Sequence, residues 1–447
     1  MPEERIIKRE APYVRFVQID VLRGFAVLGI YFINIILFAL PESESMVPPE
    51  LNETGFLNSS IGMFSEVYIE GTMRALFSML FGASALIFLD EARLANSGLD
   101  LVDRYYRRTL LLVLFGLLHA YLLLWPYDVL YAYGLFGLLL FPIRKLSART
   151  LLIFGILLLL MGDLDFTAQQ NNTNDLSNRI SNITLGNEAT SITQNESASS
   201  MTSRISGFIP VGSSNTNPKA TTEEASGEES IEIINSGGGM GTYRSDYATI
   251  FNFQRKTVVE KQSISIYQDY IFDIGGMMLL GMALFKFGVM TGPLSSKTYL
   301  IFVIVGYVAG TTLRYALSLG GLNSGHLTQV FSGYNLGRVL ITFGHIGLIG
   351  LLCSSVHLKG IVRTLASVGR MALTNYIMQT VISIFLFYGF GFSLYASLQR
   401  YQLVMVCAGI WLFQITYSNL WLIWFKQGPL EWLWRSLIYG ELQSNRK

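Results

Sequence analysis

The segment Ile19-Asp-Val-Leu-Arg-Gly-Phe-Ala-Val-Leu-Gly-Ile-Tyr-Phe-Ile-Asn34, continued by Ile35-Ile-Leu-Phe-Ala-Leu40, decides the fold class. It stays apolar for the length of a bilayer crossing, so it reads as the first membrane-spanning helix, over about 19–40. At about 100° per residue, Asp20, Arg23, Gly24, Val27, Tyr31 and Asn34 fall on one face. A charge facing lipid costs at least about 2.5 kcal/mol. This face is therefore expected to turn toward protein or a water-filled cavity. Asp20 and Arg23, one turn apart, read either as a helix-start ion pair or as part of a binding site.

The rest of the chain has the same character. Of its 447 residues 51% are hydrophobic and 14% charged, and the mean hydropathy is +0.42. Soluble domains carry about 25% charged residues. The composition predicts an all-α, polytopic transmembrane bundle. A formal net charge of +1 offers no surface for nucleic acid. Cys353 and Cys407 both lie in apolar runs and form neither a disulfide framework nor a metal-ligand spacing, so no metal site is expected. The first apolar run lacks a cleavage pattern and reads as a retained anchor.

Hydropathy and the placement of Lys and Arg divide the chain into five parts. Residues 1–18 form a cytoplasmic N-terminus, and 19–162 a first transmembrane half with spans near 19–40, 70–89, 109–124, 129–141 and 150–162. Residues 41–68, acidic and broken by Pro41, Pro48 and Pro49, read as an external loop. Residues 163–265 form a long extracytoplasmic insertion rich in Ser, Thr, Asn and Gly. Such a segment buries too little apolar surface to fold and is expected to be disordered. Deleting about 170–255 is accordingly expected to leave a folded bundle. Residues 266–425 form a second half, with spans near 269–285, 298–318, 331–356, 371–390 and 402–425, and 426–447 a cytoplasmic tail. These ten spans put both termini in the cytoplasm and obey the positive-inside bias at every short loop except at Arg400. The expected location is the cytoplasmic (inner) membrane.

Polar residues inside apolar spans are the candidate functional groups. His119 lies at mid-depth in the third span and suits a general base, or a packing histidine bonded to a neighbouring helix. Arg108 shares its face. Arg338 and His345 share a face of the eighth span. Arg74, Arg314 and Arg338 suit phosphate binding, or snorkelling where they lie near helix ends. Asn375 and Gln379, one turn apart, suit substrate binding or helix–helix adhesion, with adhesion the better fit. Asp128 sits in the external turn between the third and fourth spans and could orient His119 only if the helix folds back; a solvated turn acid is the commoner role.

The Asp-x-x-Arg-Gly motif at residues 20–24, followed by an apolar span, resembles the first helix of the acyltransferase-3 and heparan-α-glucosaminide N-acetyltransferase families. The whole chain, apart from 163–265, more closely resembles the YeiB-like family, also called domain of unknown function 418. The similarity is carried by Gly116-Leu-Leu-His119, Asp128-Val-Leu-Tyr-Ala-Tyr133, Gly369-Arg-Met-Ala-Leu-Thr-Asn-Tyr376 and Gly428-Pro-Leu-Glu-Trp-Leu-Trp-Arg435. The distant resemblance implies an acyltransferase with no permanently bound cofactor and with acyl-CoA as the donor. Its partners would be membrane lipids and a glycan or small-molecule acceptor. It also implies a functional histidine fourteen residues after the motif aspartate, where this chain has Asn34. Asparagine cannot act as a base. The base would then be His119 or His345, with Asp20, Arg23, Asn34, Arg74, Arg108, Arg338, Asn375 and Gln379 as binding groups. The alternatives are a transporter using the same polar stripes and a non-catalytic envelope protein.

Overall fold

The computed structural model describes residues 16–45, 55–89, 99–164, 238–290, 294–318 and 334–447. In these residues the chain is helical throughout, apart from turns and one isolated bridge between Phe425 and Arg446. The first half contains α1 (Val17–Ala39), α2 (Phe56–Phe64), α3 (Thr72–Phe88), α4 (Leu99–Leu122), α5 (Leu130–Ile143) and α6 (148–164). A π-helical segment, Ser65–Ile69, joins α2 to α3. The second half contains α7 (Gly238–Tyr243), α8 (Tyr247–Ser265), α9 (Gly276–Lys286), α10 (Ser296–Ser318) and α11 (Tyr334–Ser354). It ends with α12 (Lys359–Arg370), α13 (Ala372–Phe387), α14 (Arg400–Trp424) and α15 (Pro429–Tyr439). A second π-helical segment, Ile266–Gly275, leads from α8 into α9. Among the described residues, α1, the run from α2 through α3, α10, α11 and α14 are long and apolar enough to cross a membrane; α5 and α13 are shorter apolar helices.

Lipid tails are as apolar as leucine, so burial alone does not join such helices. Close packing and interhelical hydrogen bonds, about 0.6 kcal/mol each, do. Small residues make the approach possible at two crossings. A Cβ on Gly24 would strike the Leu365 carbonyl of α12, and one on Gly369 would strike the Asp20 carbonyl of α1. Gly82 of α3 and Gly281 of α9 meet the backbones of Met278 and Met79 in the same way.

The bundle has two chemically different ends. Gln18 and Phe16 meet Tyr299 and Phe285 at one of them, where Lys286 also donates to the carbonyls of Arg144 and Leu146. The C-terminal segment folds onto this basic end, with Trp434 donating to the Arg108 carbonyl. At the other end Ala396 donates to the Ala39 carbonyl, and Asn58 meets Gln399.

Several expectations require correction. The loop expected over 41–68 contains α2 and the π segment, which run into α3. The three prolines that suggested a loop all precede Gly55, and the segment after them is apolar enough to continue the helix. The insertion expected to be disordered over 163–265 is helical at 163–164 and in α7 and α8; its residues 165–237 lie outside those described. Tyr243 stacks on Tyr395 at 4.4 Å, Ile250 is fully buried and Gln254 donates to Tyr388 Oη at 3.0 Å. A deletion of 170–255 would remove these contacts. Between the eighth and ninth spans the chain forms α12, packed along α1, where a connecting segment was expected. Arg400, the exception to the charge pattern, is buried and donates to the Glu44 carbonyl at 2.7 Å.

Candidate functional site

At the basic end, α1, α3, α4, α5, α13 and α15 enclose a cavity of about 780 Å³. Its mouth is cationic. Arg23, Arg108, Arg370, Lys426 and Arg435 line it, with Asp20 and Glu431 as the acids. Arg23 lies 3.5 Å from Asp20 Oδ1 and donates to Ser84 Oγ at 2.8 Å, which fixes the guanidinium across the gap between α1 and α3. The Arg108 guanidinium lies 5.3 Å from the rings of Phe88 and Trp434, positions favourable for cation–π attraction. Further in, Val27, Leu112, Leu130, Tyr133 and Tyr376 make an apolar and aromatic inner end. A site with cations at its mouth and apolar walls within suits an anionic amphiphile.

Glu431 has a structural role at the mouth. It accepts from the Leu373 and Thr374 amides at 2.7 and 3.0 Å and so caps α13 from another helix. Burial pushes its carboxyl above the usual carboxylate range, against the hydrogen bonds from Thr374 and Leu373, which pull it down.

Behind the inner end lies a buried polar group. His119 Nδ1 is 2.7 Å from Asp128 Oδ1, and His119 Nε2 is 2.8 Å from Thr380 Oγ1. The Tyr131 amide donates to Asp128 Oδ2 at 2.9 Å. An ionised carboxylate only accepts, so Nδ1 carries the ring hydrogen. In the neutral imidazole Nε2 then accepts from the Thr380 hydroxyl. Tyr376 stands between this group and the cavity. Its ring centroid is 4.9 Å from that of His119, and the same residue lines the cavity.

Asp128 was expected in solvent and is 6% exposed. The tip of the α4–α5 hairpin is packed inside the bundle by its neighbours. Trp125 stacks on Phe38 at 3.9 Å, and Tyr247 of α8 donates to the Leu122 carbonyl.

The arginines of the two halves do not join this cavity. Asp273, in the second π segment, pairs with Arg74 at 2.7 Å and with Arg338. Glu70, directly after the first π segment, pairs with Arg314 at 2.9 Å and accepts from Tyr334 Oη at 2.7 Å. Arg74, Arg314 and Arg338 thus meet carboxylates of the chain itself; the two expectations for them were phosphate binding and snorkelling, the latter for Arg314 above all. His345 is also occupied on both sides. Its Nε2 faces the Tyr68 carbonyl at 3.0 Å and so carries the hydrogen, while Nδ1 accepts from Tyr307 Oη at 2.8 Å.

Asn375 and Gln379 hold helices together. Asn375 donates to the Val368 carbonyl and to Ser418 Oγ, both at 3.1 Å, and Gln379 donates to Gln414 Oε1 at 3.0 Å. Asn34 is half-buried on α1 and does not line the cavity. Of the ten candidate residues, the cavity gathers Asp20, Arg23 and Arg108, with His119 behind its inner wall. The sequence reading missed Thr380, Tyr376, Arg370, Lys426 and Glu431. Tyr376 stood in the Gly369–Tyr376 motif, and Thr380 follows it by one helical turn, which was a usable signal.

The family model described as "Protein of unknown function (DUF418)" matches residues 284–441. The chain is similar to YxaH of Bacillus subtilis (strain 168), described as an uncharacterized protein, with 27% identity over 94% of this chain and 93% of that protein. It is similar to YeiB of Escherichia coli (strain K12), also described as uncharacterized, with 28% identity over 95% and 96% of the two chains. No solved structure matches.

Proposed function

We propose, from the premise that this chain belongs to the YeiB-like DUF418 family, that it is an integral membrane acyltransferase. The donor is an acyl thioester with an anionic head, of the acyl-CoA class. The observation that carries this reading is one cavity with cations at its mouth and the His119–Asp128 pair behind its aromatic inner end. Arg23, Arg108, Arg370, Lys426 and Arg435 would hold the phosphates of the head, and the apolar walls the acyl chain. His119, held in one tautomer by Asp128, would take the proton released during transfer. The acceptor is a hydroxyl or amine of an envelope glycan, a lipid or a small molecule. The excess of Lys and Arg at the cavity end supports a cytoplasmic mouth, both termini in the cytoplasm and an inner-membrane location.

The test is thiol release from labelled acyl-CoA by the purified protein with a membrane extract as the source of acceptor. Release by the wild type, reduced about 10²–10⁴-fold in His119→Gln with donor binding kept, is the expected result. Donor binding without acyl loss in any extract would replace the enzyme with a carrier of the same amphiphile.

A further inference from the structure

Threonine hydroxyls on the described helices bond in two ways: Thr72, Thr109, Thr312 and Thr342 back to the carbonyls of Tyr68, Tyr105, Val308 and Arg338 one turn earlier, and Thr311 and Thr374 across to Tyr68 Oη and Glu431. Thr380 is of the second kind, and its partner is a histidine. Its hydroxyl, 1% exposed as a residue, is directed across the helix interface to His119 Nε2 at 2.8 Å. The opposite ring nitrogen is held by Asp128 at 2.7 Å, and Asp128 is fixed in turn by the Tyr131 amide. A hydroxyl, an imidazole and a carboxylate in this order, each within hydrogen-bond reach of the next, form the arrangement that activates a weak nucleophile. From this geometry we infer that Thr380 is the nucleophile of a Thr380–His119–Asp128 triad and carries the acyl group as an ester between donor and acceptor. The inference rests on the acyl-transfer reading for the identity of the group carried.

The two half-reactions balance. Thr380 Oγ1 attacks the thioester carbonyl carbon and gives its proton to His119 Nε2. The C–S bond breaks, and the departing sulfur takes that proton, leaving a threonyl ester and a free thiol. An acceptor hydroxyl or amine then attacks the ester carbonyl and gives its proton to His119. The C–Oγ1 bond breaks, and Thr380 recovers the proton. Asp128 stays ionised throughout and stabilises the imidazolium. The donor carbonyl reaches Thr380 from the cavity when the Tyr376 ring, which lies between them, turns aside.

The experiment uses the full-length protein in detergent and two probes. The first is an alkyl fluorophosphonate, which reacts with activated hydroxyls whatever the natural donor. Oγ1 bonds to phosphorus, fluoride leaves, and His119 takes the proton. Peptide mass spectrometry should find the adduct on Thr380. The labelling rate should fall about 10²–10⁴-fold in His119→Gln, vanish in Thr380→Val and return in Thr380→Ser. The second probe is acyl-CoA labelled in the acyl group, which should leave an acyl ester on the same residue. No adduct at residue 380 in the wild type, or labelling undiminished in His119→Gln, would overturn the assignment. Acyl-CoA turnover that survives Thr380→Val would remove Thr380 from the reaction and leave acyl transfer standing. A fluorophosphonate adduct on Thr380 with no acyl-CoA turnover would keep the activated hydroxyl and overturn acyl carriage.

Discussion

His119 and Asp128 lie nine residues apart in the chain, and their side chains meet at 2.7 Å because the α4–α5 hairpin turns within the bundle. The carboxylate holds the hydrogen on Nδ1 and so leaves Nε2 free to accept. Asp128→Asn offers an amide that supports either tautomer. Transfer should fall about 10²–10⁴-fold while donor affinity stays within a fewfold of wild type. Turnover and equilibrium donor binding on the same preparation check this. Equal loss of both would mean that the pair shapes the cavity and takes no part in proton transfer.

Asp273 bridges Arg74 of α3 and Arg338 of α11. Removing one member of a buried ion cluster leaves the others uncompensated and costs about 3–5 kcal/mol. Asp273→Asn should therefore lower thermal stability in detergent sharply, with little protein recovered in the membrane. Asp103→Asn, which removes an exposed partner of Arg107, is the control and should change stability by less than about 1 kcal/mol. Size-exclusion profiles and unfolding temperatures measure both. Normal stability of Asp273→Asn would show that the arginines are available to a ligand after all.

Glu431 gives a pH dependence of defined sign. Burial raises its folded pKa above the unfolded value, so the folded state holds the proton more tightly. The stabilisation is complete below the unfolded value of about 4.3 and is lost as pH rises through the folded value. Glu431→Gln keeps an acceptor for the Leu373 and Thr374 amides but cannot ionise. The stability of the wild type relative to this variant should fall as pH rises above about 4.3. Unfolding temperatures of the pair across pH measure this, and a wild type that gains stability relative to Glu431→Gln as pH rises would contradict the sign.

Hydropathy suffices to read the helical, membrane-type architecture, because each long apolar helix carries its own signal along the chain. The polar face of α1 was legible for the same reason, and Asp20 and Arg23 do line the cavity. The pairing of Asp128 with His119 was one of two readings of the hairpin turn, but the burial that decides for it was not legible. That burial depends on where a neighbouring hairpin ends and on α8 lying over that end, and neither is a local property. The arginines misled because an intramembrane charge signals function or an internal partner equally well. Asp273 and Glu70, the partners of Arg74 and Arg314, lie 199 and 244 residues from them. Thr380 escaped because a threonine in an apolar helix is unremarkable until its hydroxyl is seen to face a histidine from another helix.

The central claim is that one cavity holds an anionic acyl donor with its head at the basic mouth and its acyl end at Tyr376. An acyl-CoA carrying a diazirine at the end of its acyl chain tests this directly. The protein is irradiated with the bound probe, digested and sequenced by mass spectrometry. Labels should fall on inner-wall residues such as Leu112, Leu130 and Tyr376, and should disappear with excess unlabelled acyl-CoA or in the double variant Arg23→Ala, Arg108→Ala. Labels confined to residues on the outer surface of the helices, such as Leu114, Leu118 and Ile153, and unaffected by competitor would contradict the claim.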